Sequence, residues 1–179
     1  MITRDEERRL CDEARIMLKD CGLEFSAEEL ASMVAADFGL SRPRREGLQV
    51  LTFIDTKFLG AKAIILLPEQ TMLEHWHPKR GEDPGKEETL RCLSGVCRVY
   101  VPGEETISQG FIPEGEEEFY TCRNEIILEP TEQYTFPPGT PHWFQAGEEG
   151  TVVLSISTQV TDLDDRFTNP SVIRKTVYG

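Results

Sequence analysis

Apolar positions along the chain follow two different periods, and the change falls near Leu48. Upstream, TRDEERRLCDEARIMLKDCG places Leu10, Ala14, Ile16, Met17 and Leu18 near one face at the helical period, with Gly22 as a stop. SAEELASMVAADFG then opens on a capping box, Ser26 as N-cap with Glu29 three residues on, and Gly39 closes it. The first forty residues are therefore expected to be helical, followed by a basic loop, SRPRREG, at 41–47. Downstream the runs are short and β-rich: 48–55, 61–67, 71–77, 88–93, 96–101, 125–129, 133–136, 142–145 and 151–158. Turns such as LSG, VPGEE, PPGTP and AGEEG separate them, and no helical period intervenes. Nine such runs predict a mainly β protein, an antiparallel sandwich or barrel with N-terminal helices. The expected division is a helical segment over 1–47 packed on the barrel, the barrel itself over 48–160, and a tail over 161–179. The tail lacks clean periodicity and is expected to wrap the barrel or contact a second subunit.

Composition narrows the function classes. A chain of 179 residues can bury a sizeable core in one domain without disulfides. The formal net charge of −13 repels phosphate backbones and anionic lipid, which argues against nucleic acid or a membrane surface as partner. Most of that charge reads as solvated surface, including EGEEE at 114–118 and GEEG at 147–150. The five cysteines show no CxxC, their number is odd, and MITRDEERRL has no signal-peptide pattern. Reduced thiols and a cytoplasmic location are the expectation. Cys92 and Cys97 flank the LSG turn and read as small core residues. The longest apolar run, AIILLP, is far short of the roughly 20 residues of a membrane span.

The three histidines carry the chemistry. His75 and His77 stand two apart in a strand, so both aim to one face while Trp76 aims away. Two imidazoles side by side are unfavourable when charged and hard to satisfy when buried and neutral, and a bound cation relieves both problems. The loop PKRGEDPGK returns the chain to Glu88, which the strand phase turns toward the His pair from a neighbouring strand, with Glu87 on the opposite face. PPGTPHWF brings in His142 behind a rigid turn. His75, His77, Glu88 and His142 are thus the expected ligands of one divalent metal.

Residues 75–95, H-x-H-(x10)-E-(x6)-G, and 137–142, P-x-G-x-x-H, resemble the two metal-binding motifs of the cupins. That resemblance implies a small antiparallel, jelly-roll-like β-barrel that holds one divalent metal. The chain departs from the pattern in its ten-residue gap before Glu88. Glu69 and Thr131 stand where each motif usually begins with Gly, and Ala146 stands where Asn often follows the second. A closer likeness covers most of the chain. ADFGL, GLQVLTFIDT, EHWHP, GKEETLRC, YVPGEET, PPGTPHWFQAGEEGTV and RFTNP resemble the cupin-type D-lyxose isomerases. The family likeness implies a metal-dependent aldose–ketose isomerase, converting D-lyxose to D-xylulose and D-mannose to D-fructose through a metal-stabilised cis-enediolate.

Mixed imidazole and carboxylate ligation suits Mn2+, Fe2+, Co2+ or Zn2+, and the likeness favours manganese. A base must move the proton. Lys62, whose alternation partners Ile64 and Leu66 are apolar, is one expected catalytic residue, with snorkelling to water as its bland alternative. Asp162, directly after the last strand, is the other, while Asp164 and Asp165 read as solvated. At least two of Trp76, Trp143 and Phe144 are expected in the core. A small monosaccharide is the expected partner, and a homodimer follows from fold analogy alone. The competing readings are a non-haem Fe(II) cupin dioxygenase and a non-catalytic sugar-binding cupin.

Overall fold

In the computed structural model, which describes residues 1–179, the elements follow in this order: α1 (Arg4–Asp20), α2 (Ala27–Ala31), β1 (Val34–Ala36), β2 (Leu48–Asp55), β3 (Gly60–Leu66), β4 (Thr71–Trp76), β5 (Glu88–Val101), β6 (Asn124–Leu128), β7 (Gln133–Phe136), β8 (His142–Ser157) and β9 (Arg166–Phe167). Two strands, β5 and β8, are much longer than the rest, and they set the architecture. Residues 151–157 of β8 lie between β3 and the first half of β5, whose far side carries β7. Residues 142–146 of β8 lie between β4 and the second half of β5, whose far side carries β6. The two bent strands thus run through two facing sheets, as strands do at the corners of orthogonal packings. One sheet continues outward through β2 to β1, and the other ends on β9 beside β4. This is the mainly β, antiparallel barrel that the short runs predict.

The expected LSG and AGEEG turns are the places where β5 and β8 bend. The ladder shifts register between Cys92 and Ser94 and between Gly95 and Cys97, so bulges replace the expected turn. Gly95, at φ +71°, is required there, because a Cβ would lie 2.1 Å from the Gly150 carbonyl oxygen. Cys92 and Cys97 are buried on this one continuous strand. At the two motif positions where Gly was expected, Glu69 and Thr131 adopt φ +57° and +84°. The backbone keeps the left-handed turn that favours glycine even though the side chain has changed.

The N-terminal segment departs from the expected second helix. The capping box forms, with the Glu29 amide donating to Ser26 Oγ and the Ser26 amide to Glu29 Oε2, but α2 ends at Ala31. Val34–Ala36 then pairs with β2 as a strand, because the open edge of β2 offers its backbone partners. On α1, Leu10, Cys11, Ala14 and Leu18 pack on Leu51, Ala63, Ile65 and Val152. Ile16 lies outside that face and is 64% exposed. The opposite face of the same sheet meets the second sheet through Leu48, Ile64, Leu66, Met72, Leu90, Val99, Phe136 and Phe144. Every residue of β3 is therefore buried, which explains why Lys62 is its one charged residue. In the tail, the Ile173 amide donates to the Phe38 carbonyl and Thr176 Oγ to that of Ala35.

Candidate metal centre

His75 and His142 sit directly opposite each other on β4 and β8, and His77 follows just past the end of β4. Glu88 opens β5 in the other sheet, where it pairs with Phe136 and Ser157. Its strand is therefore not the neighbour of β4, as the hairpin reading expected; Glu88 reaches the histidines across the barrel interior. One ligand atom from each of the four residues lies within 4.8 Å of all the others, and all four side chains are buried.

Local backbone features aim each ring. The loop after His77 folds back on itself: Gly85 has φ +104°, and a Cβ there would meet the His77 carbonyl oxygen at 2.6 Å. Asp83 Oδ1 accepts from the Gly85 amide (2.8 Å), and the Lys86 carbonyl that results accepts from His77 Nδ1 (3.2 Å). The Pro-Pro-Gly turn is tied to the same strand, with the Gly139 amide donating to the His77 carbonyl (3.0 Å). Phe136 stacks on His142 at 3.8 Å between centroids, and Phe167 stacks on His75 at 5.7 Å.

The hydrogen bonds settle the tautomers. Nδ1 of His75, His77 and His142 each meets a backbone carbonyl, those of Leu73, Lys86 and Thr140. A carbonyl only accepts, so the ring proton is on Nδ1 and Nε2 keeps its lone pair. Burial holds all three imidazoles neutral, with pKa values lowered to about 3. His77 Nε2 and His142 Nε2 are buried without a hydrogen-bond partner. His77 Nε2 also lies 3.2 Å from Glu88 Oε2, two acceptors with no proton between them. Burial pushes the Glu88 carboxyl up, but Lys86, His77, Lys62 and the Ser155 hydroxyl outweigh it and hold the group well below the usual carboxylate range. Inward lone pairs and a buried anion at this spacing fit a divalent cation, which replaces the missing protons.

Lys62 and Asp162 also meet here. Lys62 is buried and points inside, so the snorkelling alternative is excluded, and its ammonium bonds both oxygens of Asp162. Lys86 Nζ lies 3.1 Å from Asp162, 3.7 Å from Glu88 and 3.9 Å from Asp165. Although burial disfavours its charge, those three carboxylates hold its pKa above the ordinary lysine value. Arg174 adds a third cation, 3.4 Å from Asp162. The Asp162 carboxyl, pushed up by burial, is held well below its usual range by Lys62, Lys86 and Arg174.

Lys86, Asp165 and Arg174 escaped the sequence reading. Lys86 is two residues before Glu88 and shares its phase, so alternation pointed to it. Asp165, expected to be solvated, is buried with Oδ1 unpartnered, and burial pushes its pKa up to about 7. A 3-10 turn over Asp162–Asp164 explains this, because positions three apart in such a turn lie one above the other. Asp164 stays outside and pairs with Arg80 (2.9 Å). Glu87 is exposed, as its phase requires. Trp143 and Phe144 are core residues; Trp76 is half-buried.

No family model matches the chain. Among characterised proteins it is 45% identical to a D-lyxose ketol-isomerase of Cohnella laeviribosi over 173 residues, which cover 96% of this chain and 95% of that one. It is 40% identical to a D-lyxose/D-mannose isomerase of Thermosediminibacter oceani, with 97% of each covered. Solved L-ribose isomerases from Acinetobacter sp. DL28 and Cellulomonas parahominis superpose with TM-scores of 0.77 and 0.76. Each match covers 96% of this chain and 94% of the other, at 14% and 15% identity, and shows a shared fold.

Proposed function

The chain belongs to the D-lyxose ketol-isomerase family, and from that premise we propose that it is a metal-dependent isomerase of D-lyxose and D-mannose. The observation that carries the metal reading is the set of inward, unprotonated Nε2 atoms facing Glu88. His75, His77, Glu88 and His142 are the proposed ligands. Their mixed nitrogen and oxygen donors suit Mn2+ as well as Fe2+, Co2+ or Zn2+, and manganese is the cation we propose. When bound, such a cation supplies positive charge beside oxygens that become negative as the reaction proceeds.

The chain's own residues move the protons. The Asp162 carboxylate takes the proton from C2 while the Lys62 ammonium gives one to O1. Lys62 then takes the proton of the C2 hydroxyl, and Asp162 returns its proton to C1. The aldose has become a ketose and both residues are restored. Lys86 stays charged and holds the three carboxylates around it in place. The five free cysteines support a reducing, cytoplasmic setting, and a homodimer is proposed from fold analogy. The proposed division keeps the barrel at 48–160, with 1–47 packed on it and adding edge strand β1, and 161–179 supplying Asp162 and edge strand β9.

The test is metal content and ketose formation on a panel of aldoses with Mn2+. We expect close to one divalent ion per chain, loss of activity on chelation, and loss of both metal and activity in Glu88→Gln and His142→Ala. Full metal content in Glu88→Gln would remove Glu88 from the ligand set. No conversion of any pentose or hexose would sink the isomerase reading.

A further inference from the structure

We propose that the groove outside Asp162 and Arg174 is a subsite for the far end of the open-chain sugar, with Thr52 and Arg174 as specificity-determining residues. The proposal rests on the isomerase reading and says where the rest of the substrate lies.

The space beside the proposed ligands is small. It has a volume of about 30 Å³ and is lined by Lys62, His75, Lys86, Glu88, Asp162 and Asp165 among others. A few water-sized groups fill it, whereas ligand pockets usually run to about 300–1,000 Å³. It therefore has room for the reacting C1–C2 end of an aldose and not for the whole chain. The inner face of β2 shows the way out. Leu48, Val50 and Thr52 share that face, and along it exposure rises from buried to half-buried to exposed. Beyond Val50 lies a groove of about 680 Å³. Val50, Asp162 and Arg174 line both spaces, so these three side chains are the threshold between them.

The groove has the chemistry of a hydroxyl-binding surface. Thr52, Asp55, Thr161, Asp164 and Thr176 line it with hydroxyls and carboxylates. At the threshold Arg174 lies over the Phe38 ring at 5.6 Å, with Nη2 3.4 Å from Asp162 and the buried Nε 4.0 Å from Asp165 Oδ2. Its guanidinium side chain, 20% exposed, offers N–H donors to a sugar hydroxyl passing from the chamber to the groove. Because the groove is open, carbons beyond C4 extend into it freely. D-lyxose and D-mannose share their configuration from C2 to C4 and differ only in that outer end.

Thr52 pairs with Lys62 in register, but its side chain is exposed at the open end and lines the groove, so a larger residue narrows the groove without touching the proposed metal ligands. The experiment compares kcat/KM on D-lyxose and D-mannose for the metal-loaded wild type and Thr52→Phe, with Thr176→Tyr as a second obstruction. We expect wild-type turnover of both sugars. Thr52→Phe should lower the D-mannose to D-lyxose ratio at least about tenfold, with Tm and metal content unchanged. Arg174→Met should raise KM for both sugars and, because it also removes a cation beside Asp162, lower kcat. An unchanged ratio in both obstructed variants, or no hexose turnover by a wild type active on D-lyxose, overturns the subsite and leaves the isomerase reading standing. Inactivity of the wild type on every aldose overturns both.

Discussion

Glu74 precedes the first histidine and faces away from it, and its replacement separates the worth of its hydrogen bonds from that of its charge. The side chain is 2% exposed and has no basic partner. Its Oε2 accepts from the amides of Thr121 (2.6 Å) and Cys122 (2.8 Å). Its Oε1 accepts from the hydroxyls of Thr121 (2.8 Å) and Thr168 (2.6 Å). Three distant segments thus meet on one carboxylate, and Thr168 follows the Phe167 that stacks on His75. In Glu74→Ala the hydroxyls can turn elsewhere but the two amides cannot, so about 2–4 kcal/mol should be lost. Glu74→Gln behaves differently. Its oxygen can keep both amides while its NH2 donates to the two hydroxyls, which reverse their roles. All four bonds survive in neutral form and the buried charge is gone, so the cost should stay within about 1 kcal/mol. Urea unfolding of the metal-loaded protein, read as a midpoint shift at constant slope, measures both values. Equal losses in the two variants would refute the reasoning, because they would mean that the negative charge, and not the set of bonds, holds the segments.

Glu125 and Thr131 give two further expectations. Burial raises the Glu125 carboxyl, but the Ser108 hydroxyl and the amides of Gln109, Ser108 and Gly110 outweigh it and hold its pKa below the usual range. A carboxyl lowered in the folded state stabilises above its unfolded value of about 4.3 and loses that contribution as pH falls through the folded value. The Tm of Glu125→Gln should therefore lie below wild type at pH 7.5, and the gap should close as pH falls through the folded value; a constant gap would contradict the sign. Thr131→Gly relieves a β-branched residue at φ +84°, and its amide can still donate to the Cys92 carbonyl. Relief of left-handed strain, less the entropy glycine loses, should raise stability by about 0.5–1 kcal/mol in thermal unfolding.

The parts of the fold legible in the sequence were those fixed by local periodicity. The two-residue period put His75 and His77 on one face and separated Glu88 from Glu87, and both placements need only a few residues of strand. The capping box at Ser26 is equally local, and it forms. What stayed hidden depends on partners far away in the chain. Val34–Ala36 became a strand because β2 left an edge open, and no local preference in MVAADFG announces that edge. LSG is an ordinary turn sequence, yet Gly95 lies against Gly150, and that close approach makes the segment a bend between two sheets.

The same distinction explains the site. The four proposed ligands stand out because histidine is scarce and their phases agree, but phase says only that a side chain points inward and not what it meets. Glu88 was placed on the strand next to the histidines; it lies on the opposite sheet, and only the bends in β5 and β8 bring it within reach. The acidic groups of TDLDDRF could not be sorted by alternation, because a 3-10 turn, not a strand, decides that Asp162 and Asp165 face inward and Asp164 outward. Three cations, Lys62, Lys86 and Arg174, then converge on Asp162 from β3, the loop before β5, and the tail. Each residue alone reads as a surface charge. Together they let a half-buried carboxylate stay ionised in the same cluster as Glu88, which is the electrostatic condition the proposed proton transfer requires.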